Sequence, residues 1–212
     1  ITMDLLSFNV QLKFILDQIS GVDGDIVELG VHTGNNSIQF MLQRPEAKYW
    51  GFDTFSGYTK EDIDSSPNNE GLLENQEQGR WTCDENETID RIKRFRNLIT
   101  ETIPSNKPMS GFEIIKGDLK NTLPQQIENK NLNRISLLYV DCNAYLPAIK
   151  GIEAAYPIIS TGGMICIDEH QDGGETKAIE ETAEKHGLQI ENTGFEFASG
   201  IHSNPSKYII KK

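Results

Sequence analysis

The amino-acid sequence predicts an α/β fold in which a doubly wound, mostly parallel sheet is covered by helices on both faces. Three observations carry this reading: strand-length apolar runs alternate with stretches of helical periodicity, the first run ends in a loop with two spaced glycines, and two further strand-like runs flank a turn at the C-terminal end. In chain order, residues 4–20 place Leu5, Leu6, Val10, Leu12, Phe14, Ile15 and Ile19 at mostly helical spacing, an amphipathic helix suited to covering a sheet edge or a partner. Strands are expected at 25–29, 48–53, 112–115, 134–141 and 163–168, with helices at 34–43, 87–102, 146–156 and 175–186 between them. The runs 189–197 and 207–210, separated by Gly, Asn and Pro, read as a closing hairpin. Residues 56–87 break the alternation: they are polar with a single tryptophan, Trp81, and read either as a lid beside a ligand site or as a surface insertion.

The stretch 25–34, Asp-Ile-Val-Glu-Leu-Gly-Val-His-Thr-Gly, is the most informative. Gly30 and Gly34 permit a tight turn and close backbone approach, so a ligand would meet a helix N-terminus at the carboxyl end of a strand. A dinucleotide loop is usually Gly-x-Gly-x-x-Gly and leaves room for a pyrophosphate. Here Glu28 precedes the first glycine by two residues, which suits a ligand with an amino group and a sulfonium and points to S-adenosylmethionine. The same glycines are also accounted for as a plain strand-to-helix turn. Asp53 ends the second strand, where nucleotide-binding sheets hold ribose hydroxyls, and Asp118 follows the third, where an acid accepts from an adenine amino group.

Composition narrows the class. At 212 residues and 37% hydrophobic content the chain is expected to form one domain over 1–212, with an N-terminal helix in 1–23, the lid or insertion at 56–87 and a strand hairpin at 188–212. A net charge of −12 argues against a nucleic-acid partner, since the basic run at 91–96 reads as a solvated helix face. Cys83, Cys142 and Cys166 follow no metal-binding spacing, and no apolar run approaches membrane-spanning length. A cytoplasmic protein with free thiols and no membrane partner is expected, and the N-terminal helix leaves a homo-oligomer open.

Two more strand ends add acids: Asp141 ends the fourth, and Asp168 with Glu169 and His170 follows the fifth. Adjacent parallel strands would bring Asp141, Asp168 and Glu169 to one edge, an oxygen-ligand site for Mg²⁺ or a similar hard cation. Capping of the following helices or turns is the other account of Asp141 and Asp168.

Taken in order, Val27-Glu28-Leu29-Gly30-Val31, Gly51-Phe52-Asp53-Thr54-Phe55-Ser56-Gly57, Lys116-Gly117-Asp118 with Asn121-Thr122-Leu123-Pro124, Asp141-x-Asn143-x-Tyr145, and Gly162-Gly163 through Asp168-Glu169 resemble the macrocin O-methyltransferase (TylF-type) family of S-adenosylmethionine-dependent methyltransferases. The resemblance covers most of the chain, roughly residues 24–182. It implies a Rossmann-like, seven-stranded sheet with a reversed last strand, and Mg²⁺-assisted methyl transfer to a hydroxyl of a small-molecule acceptor, typically a natural-product sugar. On this reading Glu28, Gly30, Gly34, Asp53, Asp118 and Asp141 surround the cofactor, and Asp141, Asp168 and Glu169 hold the metal. The family pattern after the fourth strand is usually Asp-x-Asp-x-Tyr, whose second Asp is a candidate base. Asn143 stands there in this chain and takes no proton at neutral pH, so His170 becomes the candidate base alongside Asp141. Three other readings share much of this pattern: a catechol-type O-methyltransferase, a nicotinamide-dependent dehydrogenase, against which Glu28 and the missing third glycine speak, and a non-catalytic cofactor-binding or assembly module.

Overall fold

Six consecutive buried residues, Ile-Ser-Leu-Leu-Tyr-Val, mark a strand with neighbours on both edges and helices on both faces, and in the computed structural model they form the central strand β4 (Ile135–Val140). The structure describes residues 2–65, 77–102, 109–168, 173–194 and 206–212. Before β4 come α1 (Thr2–Gln18), β1 (Asp25–Leu29), α2 (Asn35–Gln43), β2 (Tyr49–Asp53), α3 (Lys60–Ser65), α4 (Glu85–Thr102), β3 (Phe112–Lys116) and α5 (Leu119–Glu128). After it come α6 (Tyr145–Ala155), β5 (Ile159–Ile167), α7 (Gly174–His186), β6 (Glu191–Asn192) and β7 (Lys207–Ile210).

The sheet order is β3-β2-β1-β4-β5-β7-β6. β1 to β5 are parallel, and β7 runs antiparallel to both β5 and β6. This is the expected seven-stranded sheet with a reversed last strand. Leu119, Leu123, Ala148, Ile152, Ala178 and Ile179 of α5, α6 and α7 share one apolar cluster with Val27, Leu29 and Leu138. Leu12, Ile15, Phe40 and Ile92 of α1, α2 and α4 share the other with Ile26, Leu137 and Tyr139. Alternate residues of each strand thus face opposite layers. The N-terminal helix covers its own sheet, and Gln11 ties it to the last strands by donating to Ser206 Oγ (2.7 Å) and accepting from Thr193 Oγ1 (3.2 Å). Among the described residues no helix is long and apolar enough to cross a membrane.

Several boundaries differ from the sequence reading. Two helices were not expected: α3 lies in the polar 56–87 segment, and α5 contains Pro124, which supplies no N–H to the helix ladder. α5 forms all the same: Asp118 caps it, accepting from Lys120 N (3.0 Å), and Leu119 and Leu123 bury against the sheet. β5 begins at Ile159, four residues before the expected start, and of the run 189–197 only Glu191–Asn192 is strand among the described residues.

β1 and β4 lie side by side where the chain leaves in opposite directions, β1 toward β2 and β4 toward β5. Gly30 sits at this split with φ 94°, and a Cβ on it would strike the carbonyl of Asp141. On the α2 side of β1, Glu28 is fully buried; Tyr49 Oη donates to its Oε2, as does Ser37 Oγ (2.8 Å), while Oε1 has no hydrogen-bond partner among the described residues. Burial is the main force that pushes this carboxyl up to about 8.

Two expectations follow. Gly30→Ala forces an L residue into a glycine conformation and a methyl against backbone, and should cost about 2–5 kcal/mol in urea unfolding. Glu28 keeps its proton in the folded chain up to about pH 8 but releases it near 4.5 when unfolded, so the unfolded state binds fewer protons across that window and stability falls as pH rises through it. Urea unfolding at a series of pH values should show Glu28→Gln gaining on the wild type by up to about 1.4 kcal/mol per pH unit between those limits. A difference that does not change with pH would mean that Glu28 ionises normally.

Candidate active site

Parallel strands end together, so loops leaving their carboxyl ends enclose a common space, widest where neighbouring strands send the chain in opposite directions. A cavity of about 430 Å³ opens there, lined by Gly30 and His32 after β1, Asp53 at the end of β2, Gly117 and Asp118 after β3, Asp141 to Asn143 after β4, and Asp168 after β5. Four of the predicted cofactor residues, Gly30, Asp53, Asp118 and Asp141, therefore converge. Two do not line the cavity: Glu28 lies beneath the loop in the α2 layer, and Gly34 is the left-handed N-cap of α2, at φ 78° with Ile92 against it.

Asp53 organises both neighbouring loops. Its Oδ2 accepts from Val31 N (2.8 Å) and His32 N (2.7 Å), and its Oδ1 from Phe55 N (2.6 Å). A carboxylate offers about four acceptor positions, so roughly one remains for a ligand, on Oδ1. Asp118 is engaged as the cap of α5 and shares Lys120 with Asp62, at 3.4 Å and 3.1 Å from Nζ.

Asp141 and Asp168 hold the other end. Neither is the N-cap of a helix: those positions before α6 and α7 are Ala144 and Gly173, with no side-chain cap. Asn36 Nδ2 donates to Asp141 Oδ2 (2.9 Å) and Asn143 Nδ2 to Oδ1 (3.4 Å), while Tyr139 Oη donates to Asp168 Oδ1. Burial pushes the Asp141 carboxyl well above the usual carboxylate range, and the charges of Asp168 and Glu175 push it further. Two oxygen donors that repel each other across one cavity are a setting in which a cation or a proton is favoured. Among the described residues no group of three or more His, Cys, Asp or Glu is placed to hold a metal; Glu169 and His170, predicted as ligand and base, lie outside the described residues.

The 56–87 segment reaches the cavity from both ends. Gly79 N donates to Tyr58 O (3.0 Å) and Tyr58 N to Arg80 O (3.3 Å), which brings Tyr58, Arg80 and Trp81 to the wall. Trp81 packs edge-on against His32 at 5.5 Å between ring centroids, with the Arg80 guanidinium 5.2 Å from its ring centre, and stays 45% exposed. The tryptophan of the polar segment thus belongs to the cavity. Sequence reasoning missed Asn36 and Glu175, which hold the Asp141 loop. Nothing in their local sequence marks them, because helix residues of these types are most often solvated.

The macrocin-O-methyltransferase (TylF) family profile matches residues 9–195. Mycinamicin III 3''-O-methyltransferase of Micromonospora griseorubida is 25% identical over 181 residues, covering 81% of this chain and 65% of that protein, so the chain spans just under two thirds of the relative's length. The crystal structure of CalS11, a calicheamicin methyltransferase, superposes with a TM-score of 0.73 at 20% identity, covering 97% of this chain and 79% of that one. An apo structure described as CalS11, TDP-rhamnose 3'-O-methyltransferase, gives 0.66 at 19% identity over the same shares. The structural likenesses show the fold, and the profile match across most of the residues shows the family: the chain belongs to the macrocin-O-methyltransferase (TylF) family.

Proposed function

We propose that this chain is an S-adenosylmethionine-dependent O-methyltransferase that methylates a hydroxyl of a natural-product sugar, assisted by Mg²⁺. The observation that carries this reading is the convergence of Gly30, Asp53, Asp118, Asp141 and Asp168 on one cavity at the split of the sheet. The sugar class is supported by the relatives, one of them described as a TDP-rhamnose 3'-O-methyltransferase.

Bound in the cavity, S-adenosylmethionine would supply a sulfonium methyl group for in-line transfer to an acceptor oxygen, leaving as S-adenosylhomocysteine. The protein's part is alignment and proton removal. Gly30, lacking a side chain, would let a ligand approach the β1 loop; Asp53 would accept from a ribose hydroxyl through its remaining Oδ1 position, and Asp118 would border the adenine end. At the other end Asp141 and Asp168 face the acceptor. Their carboxylates fit a hard cation, which would supply Lewis acidity toward the acceptor hydroxyl, with Glu169 as a third ligand. The hydroxyl proton leaves to Asp141 or His170, since the Asn143 amide accepts none. Asn143 instead donates to Asp141 and keeps it oriented.

Calorimetric titration with S-adenosylhomocysteine, with Mg²⁺ and with EDTA, should show binding in both buffers, and no binding to folded protein in either removes the methyltransferase reading. Asp53→Ala should weaken that binding roughly 10- to 100-fold, the worth of one charge-assisted hydrogen bond plus the order it gives the loops. A panel of rhamnosides, other glycosides and catechols, assayed by S-adenosylhomocysteine release, identifies the acceptor; methylation of catechols alone would move the protein to the catechol-type class. With the best glycoside, Asp141→Asn should lower turnover by on the order of 10²–10⁴, and EDTA should lower that of the wild type. Full activity of Asp141→Asn in excess EDTA would remove both metal and base from that position.

A further inference from the structure

One buried acid outside the cavity faces the loop that carries Asp141 and Asn143. Glu175 lies in the first turn of α7 with no solvent exposure, and its Oε1 accepts from two consecutive backbone amides, Cys142 N (2.7 Å) and Asn143 N (2.6 Å). These amides fall between β4, which ends at Val140, and α6, which begins at Tyr145, so neither sheet nor helix provides their partner. Asn143 has φ 51°, in the left-handed region, and a left-handed turn aims successive N–H groups at one point. Such a concavity ordinarily receives an anion from outside. Here the protein fills it with its own carboxylate.

The surroundings are shaped for this contact. A Cβ on Gly174 would strike the backbone of Ala144 and Tyr145, so the first turn of α7 lies directly on the loop. From the other side Gly30 packs against the Asp141 carbonyl, and Asn36 holds the Asp141 carboxylate. The loop is therefore fixed at three points, two of them on β1 and α2 and the third at Glu175.

We propose that Glu175 is a positioning residue for methyl transfer: by anchoring the Cys142 and Asn143 amides, it fixes the 141–144 loop so that Asp141 and Asn143 present their side chains to the acceptor beside Asp168. The proposal rests on the methyltransferase reading of the cavity. Glu175 touches neither cofactor nor acceptor; it acts through the loop.

Two conservative variants separate reach from charge. Glu175→Gln keeps an oxygen at the same distance and loses the charge, while Glu175→Asp keeps the charge and falls one methylene short of the amides. With the glycoside that gives the highest wild-type turnover, Glu175→Gln should keep kcat within about threefold of wild type, the change expected when a charged acceptor becomes a neutral one without loss of geometry. Glu175→Asp should lose at least tenfold in kcat while its affinity for S-adenosylhomocysteine stays within about threefold, because three of the four predicted cofactor residues at the cavity, Gly30, Asp53 and Asp118, sit on other loops. Amide hydrogen exchange at Cys142 and Asn143 should accelerate in Glu175→Asp and not in Glu175→Gln. Equal losses in the two variants, or a fully active Glu175→Asp, overturns the proposal while leaving the methyltransferase reading intact. A folded wild type that binds no S-adenosylhomocysteine and methylates no acceptor overturns both, and is recognised before any variant is compared.

Discussion

The contact on which the site depends is the approach of Gly30 to the backbone of Asp141. β1 and β4 are hydrogen-bonded neighbours up to Leu29, whose carbonyl accepts from Asp141 N at 2.8 Å, and just beyond it the chains part toward opposite halves of the sheet. A side chain at residue 30 would wedge the strands apart where the cavity must have its floor. With glycine there, the acid ending β4 is carried on a backbone already held by β1, and Asp168 N, donating to Val140 O at 2.8 Å, extends the same lock to β5. The backbones of Asp141 and Asp168 are thus placed by main-chain ladders, which hold position more closely than a loop does.

The remaining acids of the cavity are structural members first. Asp53 binds three amides of two loops and Asp118 caps a helix, so each is oriented before any ligand arrives. Preorganisation of this kind removes an ordering cost from binding, because carboxylates already fixed by amides lose little freedom when a hydroxyl or amino group joins them. It also constrains what each can do. With three of its acceptor positions taken, Asp53 has roughly one left for a ligand in this geometry. Glu28 carries the same logic further: its carboxyl serves Ser37 and Tyr49 inside the α2 layer, so its connection to the cavity runs through the position of the loop it supports.

How far the sequence reveals these arrangements depends on how local the determining physics is. The strands β1 to β4 are legible because apolar runs bounded by glycine and acid are a local signal, and the acids at their ends follow from the parallel sheet. α5 is hidden by Pro124, since local propensity disfavours the helix, the Asp118 cap reads equally well as a ligand group, and the packing of Leu119 and Leu123 that supports it involves distant segments. α3 is short and polar, with nothing periodic to mark it. Trp81 was legible as a residue in need of a partner, yet its partner His32 stands 49 positions earlier and no pattern connects them. The depth of Glu28 and Glu175 was the least legible feature, because burial of an acid is decided by what packs over it from distant segments.

Asn143 and Glu175 make better sense together than apart. At residue 143 the family pattern expects an acid, and the neutral amide taken alone reads as a lost function. In the folded chain the backbone N–H of residue 143 rests on the Glu175 carboxylate, and its side chain donates to Asp141. An aspartate there would place another carboxylate against Asp141, in surroundings whose burial disfavours charge, and would replace the donor to Asp141 with an acceptor. The amide avoids both penalties. One negative charge is carried beneath the loop, where two amides neutralise its cost, and the side chain above it is free to orient Asp141. In this chain the acid that anchors the loop and the amide that faces the cavity are thus parts of one arrangement.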